Sequence, residues 1–584
     1  MMKYILPIIF LGMSSVAFSQ IKEEKLILNK KREPEVKKIE KKKTSVETIK
    51  NYPPEEKSQN PVKYTITDVP AVSDFKTSTI QGQDVTPKFD GTAQNNYIQF
   101  GMGNFGKILG DMNISKTLEN KLEVGVDAHF LSTLGLKKEY AWDSKQSAAT
   151  IGAFLNSYGE KGKFNLNAEY GLNNNNYYGI YALEPGDVDL DQRVNQFKVN
   201  GYYDFYSNEI LNDVRVKSSF LKDHFEAQEN QVSILANLSK HGVEVGGSGI
   251  ALNADLGVGL ETVKSEFDIR DKNSSNFFNT SLTPKVTFRK GDSYLMVGSA
   301  FSFLNAKNNN ALMAEQMKNS KTYWFPQAEF QFAAAKEFKF YGGVDGGLKL
   351  NTYSDLLQQN PFILSDQYLK PTETKYHFYV GLRGDIDETF KYDFSAGYGK
   401  MRDIMFFKAN GLFDNYSVSR SAYNYANTFS AIYDDGNVSD IKGSVQYFPL
   451  ENLILDAEVK FTKFDLKNYE NIYNFPLLNA SIGAKYTMLD KKLLLGFKGI
   501  FASDRTTNSF AIEGIGGPAL YQSTENTDDK VGGYVDLNLS AEYKIHKNFS
   551  IFAIGNNLLN SNYQTYRGYK VLGAQILGGV KITF

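Results

Sequence analysis

The chain of 584 residues carries 65 basic and 66 acidic side chains, a balance that argues against a general nucleic-acid binder. It contains no cysteine, which excludes disulfides, thiolate metal sites, thiol catalysis and a lipid anchor on an N-terminal cysteine. Aromatic residues reach 14%, with 36 Tyr and 42 Phe against 2 Trp, a load expected where aromatic girdles line two membrane interfaces. The mean hydropathy of -0.38 and the lack of any apolar run of roughly 18 residues after the N-terminal segment exclude a helical membrane protein. A β-barrel is compatible with that polarity, because half of each strand faces water.

Residues 1–19 read as an export signal. Lys3 supplies the positive start, Tyr4 to Met13 the apolar centre, and Ala17-Phe18-Ser19 a small-residue cleavage pattern. Residues 20–60 read as a charged, disordered periplasmic linker. From Ile21 to Asn60 there are twelve Lys/Arg and eight Asp/Glu, with Pro34, Pro53 and Pro54; such a segment cannot bury enough surface to offset its ordering entropy. Its basic clusters, Lys30-Lys31-Arg32 and Lys41-Lys42-Lys43, fit a solvated tether more simply than a contact with peptidoglycan or anionic lipid. Residues 61–95 are transitional. Pro61, Pro70, Gly82 and Pro87 interrupt any long element there.

From Asn96 to the end one rhythm holds. Leu122, Val124, Val126, Ala128 and Phe130 oppose Glu123, Asp127 and His129; Leu455, Ala457, Val459 and Phe461 oppose Asp456, Glu458 and Lys460. In YVDLNLSAEYKI, Val535, Leu537, Leu539, Ala541, Tyr543 and Ile545 oppose Asp536, Asn538, Ser540, Glu542 and Lys544. A period of two marks a strand with one apolar and one wet side. Short polar turns such as Lys290-Gly291-Asp292, Asp387-Glu388, Glu451-Asn452 and His546-Lys547-Asn548 join strand pairs, with less distinct ones near Asn208 to Asp213 and Lys240 to Gly242. Longer connections alternate with them: Leu134 to Ser147, Asn173 to Gln192, Ala306 to Lys321, Thr352 to Lys375, Met401 to Asp440, Asp465 to Pro476 and Asp504 to Lys530. This predicts an all-β protein, a transmembrane antiparallel β-barrel of about 22 strands over residues 96–584, with short periplasmic turns and long extracellular loops.

Candidate chemistry is sparse. Gly101-Met102-Gly103-Asn104-Phe105-Gly106 spells GxGxxG, but strand-like sequence continues where a nucleotide site needs a helix, so a tight turn and close strand approach are expected instead. Asp187, Asp189 and Asp191 offer alternating carboxylates to a calcium ion, although Gln192 and Lys198 stand where an EF-hand needs Gly and Glu. Asp434-Asp435-Gly436-Asn437 is a similar run that reads better as a turn. The histidines are scattered without zinc spacing, and no catalytic motif is found, so neither an enzyme nor a cofactor is expected. Glu123, Asp127, Asp456, Glu458, Lys460, Asp536, Glu542, Lys544 and Lys581 are expected to face the lumen, where they tune solute passage or satisfy a wet interior. Asn173 to Asn176, Tyr177, Tyr178 and Trp142 are candidates for solute contact.

The last two strands carry a resemblance. FSIFAIGNNLLNSNYQTY, followed by GAQILGGVKITF, resembles the end of a TonB-dependent receptor barrel, with Asn557, Leu558, Leu559, Asn560 and Tyr563 on that family's Asn-Leu-Phe/Leu-Asn-x-x-Tyr pattern. The resemblance implies an outer-membrane location, Gram-negative lipid as surroundings and a barrel-assembly machinery that reads the terminal strand and Phe584. It also implies 22 strands. Thr44 to Ile49 is faintly similar to the family's TonB-contacting box, so a TonB-type or other periplasmic partner is expected at the linker. The family's globular plug has no counterpart of sufficient length, and inward-folded loops such as Met401 to Asp440, residues 61–95, or a partner is left to fill the lumen. Solute transport across the outer membrane is the expected function; a non-transporting scaffold or assembly subunit that binds a periplasmic partner is the alternative.

Overall fold

The computed structural model describes residues 96–584, apart from 119–120, 137–138, 141, 185–186, 207–209, 270–271, 311–314, 415–419 and 516–519. The export signal, the charged linker and the transitional segment lie outside the described residues.

The described chain forms a 22-stranded antiparallel sheet closed on itself. The first strand, β1 (Tyr97–Gly103), pairs with the last, β26 (Gln575–Thr583), from Tyr97 opposite Thr583 to Gly103 opposite Leu577. Among the described residues the barrel sheet has no open edge, as a bilayer demands. The predicted alternation sets the orientation of each strand. Along β22 (Tyr534–His546), Val535, Leu539, Tyr543 and Ile545 are exposed on the outer face. Asp536, Asn538, Ser540 and Glu542 are buried on the inner face. A slip of one residue would put those four polar groups into lipid, so the pattern fixes the register.

At one end of the barrel the described strands are joined by short connections. Asp387 and Glu388 form one with φ of 50° and 59°, the left-handed pair that matches strand twist in a tight hairpin. The turn expected near Lys240 to Gly242 lies instead after Glu244, where β8 (Gln228–Glu244) ends. The register shifts between Lys240 and Val243, so Gly242 marks a bulge and the strand runs on.

The long-loop end also departs from expectation. β11 (Ser293–Asn310) and β12 (Glu315–Ala333) pair through most of the predicted Ala306 to Lys321 loop. β15 (Phe390–Ala409) and β16 (Phe429–Leu450) take most of Met401 to Asp440, and Asp434 to Asn437 is part of β16, where a turn was expected. The reason is common to both. Beyond the membrane band both faces of a strand are wet, so alternation disappears while backbone pairing continues. β16 has 22 residues and β1 only 7, so the wall is far taller on one side than at the seam where it closes. The Asp504 to Lys530 connection is itself a hairpin, β20 (Arg505–Gly514) with β21 (Tyr521–Val531). The GxGxxG run is a tight connection between β1 and β2 (Ile108–Leu118), as expected: Phe105 and Gly106 have positive φ, and a Cβ on Gly103 would lie 2.4 Å from the Ile576 carbonyl oxygen.

Candidate functional site: a loop-built cap over a lumenal cavity

The main buried apolar cluster lies at the long-loop end, where loops pack against inward side chains of the wall such as Val263, Phe277 and Phe407. Tyr177, Tyr178 and Ile180 come from one loop, Tyr353, Phe362 and Ile363 from a second, Tyr425 from a third, and Tyr566 and Tyr569 from a fourth. Phe362 stacks on Tyr569 at 3.6 Å between ring centres, and Tyr178 meets Tyr569 edge-on at 4.9 Å. Each fully buried ring of this size contributes on the order of 1.5–3 kcal/mol through burial alone. The hydroxyls are satisfied by backbone. Tyr177 donates to the Ile363 carbonyl at 2.8 Å, Tyr178 to Lys570 at 2.9 Å, Tyr566 to Gln359 at 3.1 Å, and Tyr569 to Asn427. Burial pushes the hydroxyls of Tyr177, Tyr178, Tyr353 and Tyr569 well above the usual phenol range, so they act as neutral donors.

The second loop carries a short helix, α1 (Tyr353–Gln359), fastened to the wall by two buried carboxylates. Glu229 accepts the amides of Tyr353 (2.6 Å) and Ser354 (3.0 Å) and the Ser265 hydroxyl (2.7 Å). Asp223 accepts the hydroxyls of Tyr353 (2.7 Å) and Ser365 (2.5 Å), the Gln192 amide (3.0 Å) and the backbone amides of Phe225 and Ala227. Thr352 caps the helix by accepting from the Asp355 amide at 3.0 Å. The first amides of a helix lack internal partners, and here the Glu229 carboxylate supplies them for Tyr353 and Ser354. A buried charge with this many donors is stable in place, and losing the donors leaves it costly.

Within the barrel, between α1, the rim of the wall and the Asn557 to Leu572 loop, lies a cavity of about 450 Å³. Gln146, Asn173, Asn175 and Gln196 line it from the wall, Gln358 from α1, and Tyr178, Phe362 and Tyr566 from the cap. The candidates Asn173, Asn175 and Tyr178 thus share one space. Trp142 touches it indirectly, its indole donating to the Tyr178 carbonyl at 3.0 Å.

The other anticipated residues fall into three groups. Glu123 accepts from Asn156 at 2.9 Å, Asp127 lies across Gly152 in reach of Asp111 and Glu169, and Asp456 lies across Gly483 on the next strand. Lys581 reaches Glu542 at 3.3 Å, and Lys460 shares a patch with Glu458, Asp440 and Lys442. Lys544 is half-buried near the short-turn end of β22. The second group is the terminal motif, which builds a loop. Asn557 donates to the carbonyls of Ser561 and Leu572 and accepts the Ser561 amide. Asn560 accepts the Ala574 amide, Leu558 packs on Gly555, and Leu559 is exposed. Tyr563 stacks on Tyr534 at 3.9 Å and donates to Asp536 at 2.9 Å. Phe584 donates its amide to the Asn96 carbonyl at 3.1 Å. The third group is the acidic runs. Asp189 accepts the Asp191 amide, Asp191 pairs with Lys145 at 3.4 Å and Arg193 at 3.8 Å, and Asp187 is exposed. No group of three or more acids or histidines among the described residues is placed to hold a metal. Asp434 instead accepts the backbone amides of Asn468 and Tyr469, tying down a loop.

Sequence reasoning missed Asp223 and Glu229, and it missed a network on the opposite inner arc. There Glu329 accepts from Tyr294 and Tyr379, Arg383 grips Gln331, and Asp440 holds His377 at 2.6 Å and Lys442 at 3.2 Å. Tyr379 alternating with His377 and Gly381 along one strand was the available signal.

Whole-chain comparison fits the same architecture. No protein-family model matches the sequence, and no curated protein matches it. Solved structures do match in fold. The barrel is similar to the closed form of the ferric-catecholate import receptor Fiu from E. coli K12, with TM-score 0.61, 11% identity, and 84% of this chain and 82% of that one covered. It is similar to the copper transporter OprC, with TM-score 0.58, 12% identity, and 84% and 80% covered. It is also similar to the pyoverdine receptor FpvA from Pseudomonas aeruginosa PAO1, with TM-score 0.58, 11% identity, and 84% and 78% covered. The likeness is one of fold, and it carries the resemblance seen in the last two strands to the whole 22-stranded barrel.

Proposed function

We propose that this chain is an outer-membrane transport barrel, without chemistry of its own, whose long loops close its lumen from the extracellular side. The observation that carries the reading is α1, held inside the rim by Asp223 and Glu229 beneath a buried aromatic layer. A wide barrel needs an occluding element, and here the loops supply one. The similar receptors support passage of a solute through such a barrel, and they support a TonB-type partner for the N-terminal linker. Recognition of the terminal strand and Phe584 by a barrel-assembly machinery belongs to the same reading.

The test is conductance in planar bilayers. The wild type is expected to conduct weakly, and the Asp223→Ala/Glu229→Ala double variant about tenfold or more above it, because the helix loses its fastening. The buried cap also favours a second reading, a sealed scaffold. Silent records from both proteins, with a periplasmic protein that co-purifies only when residues 20–60 are present, would replace transport by that reading.

A further inference from the structure

We infer that the lumenal cavity is a binding site for a neutral, polyhydroxylated solute of the size of a short oligosaccharide, an inference that rests on the transport reading above. Its lining is the reason. Gln146, Asn173, Asn175, Gln196 and Gln358 present carboxamides to one space of about 450 Å³, within the range of small-molecule sites. A carboxamide offers a donor and an acceptor side by side, the complement of neighbouring hydroxyls on a sugar ring. The side chains of Gln146, Asn173, Asn175 and Gln358 hydrogen-bond no protein group among the described residues, so they remain available to a ligand. Tyr178, Phe362 and Tyr566 add ring surface of the kind that packs on the C–H face of a saccharide.

Charge points the same way. Three charged side chains reach this lining, and each is already engaged. Lys107 donates to Gln575 at 3.1 Å, Lys570 pairs with Glu139 at 3.3 Å, and Asp536 accepts from Tyr563 at 2.9 Å. An anionic chelate would find no cluster of cations here. Mere solvation of a lumen wall does not demand this neutrality, because the opposite arc solvates itself with Glu329, Arg383, Asp393, Asp440 and Lys442. At the cavity the amides outnumber the charges, and the three charges there are already paired.

The chain contains a reporter. Of its 2 Trp, Trp142 bonds the backbone of Tyr178, whereas Trp324 is exposed on the outer face. Full-length Trp324→Phe protein in detergent leaves Trp142 as the single tryptophan, excited selectively at the red edge where the 36 Tyr do not absorb. It is titrated with maltotriose, raffinose and triacetylchitotriose, with a blocked neutral tripeptide and a ferric tris-catecholate as controls, and binding is repeated by calorimetry. A saturable change with at least one trisaccharide is expected, with affinity reduced about tenfold or more in Asn173→Leu/Asn175→Leu. Heat-modifiability on gels confirms that this variant is a folded barrel; should it fail, Gln146→Leu replaces it. Absence of binding by all three sugars up to about 10 mM, binding by the peptide or the chelate alone, or unchanged affinity in the folded variant overturns the inference. Current through Asp223→Ala/Glu229→Ala separates the two readings. If that variant conducts and no sugar blocks or binds, the substrate class is wrong and transport stands. If sugar binds and no current flows, the site stands and transport falls.

Discussion

The wall and the cap of this molecule are held together in opposite ways. Every barrel strand pairs through backbone with its neighbours, and nearly all of those neighbours are adjacent in the chain. An outward side chain such as Val459, exposed on the apolar face, needs only to be apolar. The cap is held by side chains reaching the backbone of distant loops. Tyr178 and Lys570 are 392 residues apart, and Tyr140 and Gly568 are 428 apart. Few alternatives exist for a ring that must fill one gap and place one hydroxyl. The wall should therefore tolerate substitution and the cap should not.

Three measurements sharpen or break that contrast. The largest effect is expected from Tyr569→Ala, which removes a fully buried ring stacked on Phe362. A loss of about 3–5 kcal/mol in cap stability should appear as new protease cleavage within 410–428 while the barrel stays heat-modifiable. Val459→Ala should leave cleavage unchanged, and equal sensitivity of both variants would dissolve the distinction. Asn557→Ala comes next. It strips partners from the carbonyls of Ser561 and Leu572, at a cost of about 1–3 kcal/mol, which a lower melting temperature would register; an unchanged value would remove Asn557 from the set of residues that build that loop. The smallest effect concerns the wall alone. Asp456→Lys with Glu458→Lys should shift the reversal potential of an open barrel toward anions, since the lumenal field acts on the permeating ion. Val459→Leu should not move it, and an equal shift from both would mean that the charges of Asp456 and Glu458 do not set the selectivity.

The same contrast explains what the sequence disclosed. Alternation is a local property, so the strands, their facing, the closed barrel and nearly all the short turns could be read from residues next to one another. Where water bathes both faces, as in Ala306 to Asn310, the alternation stops and the strand was mistaken for loop. Gly242 was mistaken for a turn because a bulge and a turn ask the same of a glycine. The terminal motif was legible as a pattern, and its role as a loop brace emerged from the contacts of Asn557. Asn173, Asn175, Tyr178 and Trp142 were legible as candidates because amides and aromatics cluster there. Asp223 and Glu229 were not, since an acid that fastens a helix from another loop looks like any acid on a wet strand.

The long reach of the cap's contacts has a consequence for assembly. Closing a contact across some four hundred residues is entropically expensive until the strands between have formed. The Tyr178–Tyr569 pairing, which joins the first third of the chain to its last long loop, therefore becomes favourable only once β1 and β26 have met. A barrel arrested one strand short of closure would hold most of its sheet and little of its cap. Formation of the aromatic layer thus reports the completion of the cylinder, and the environment of Trp142, beside Tyr178, changes when the ring has closed.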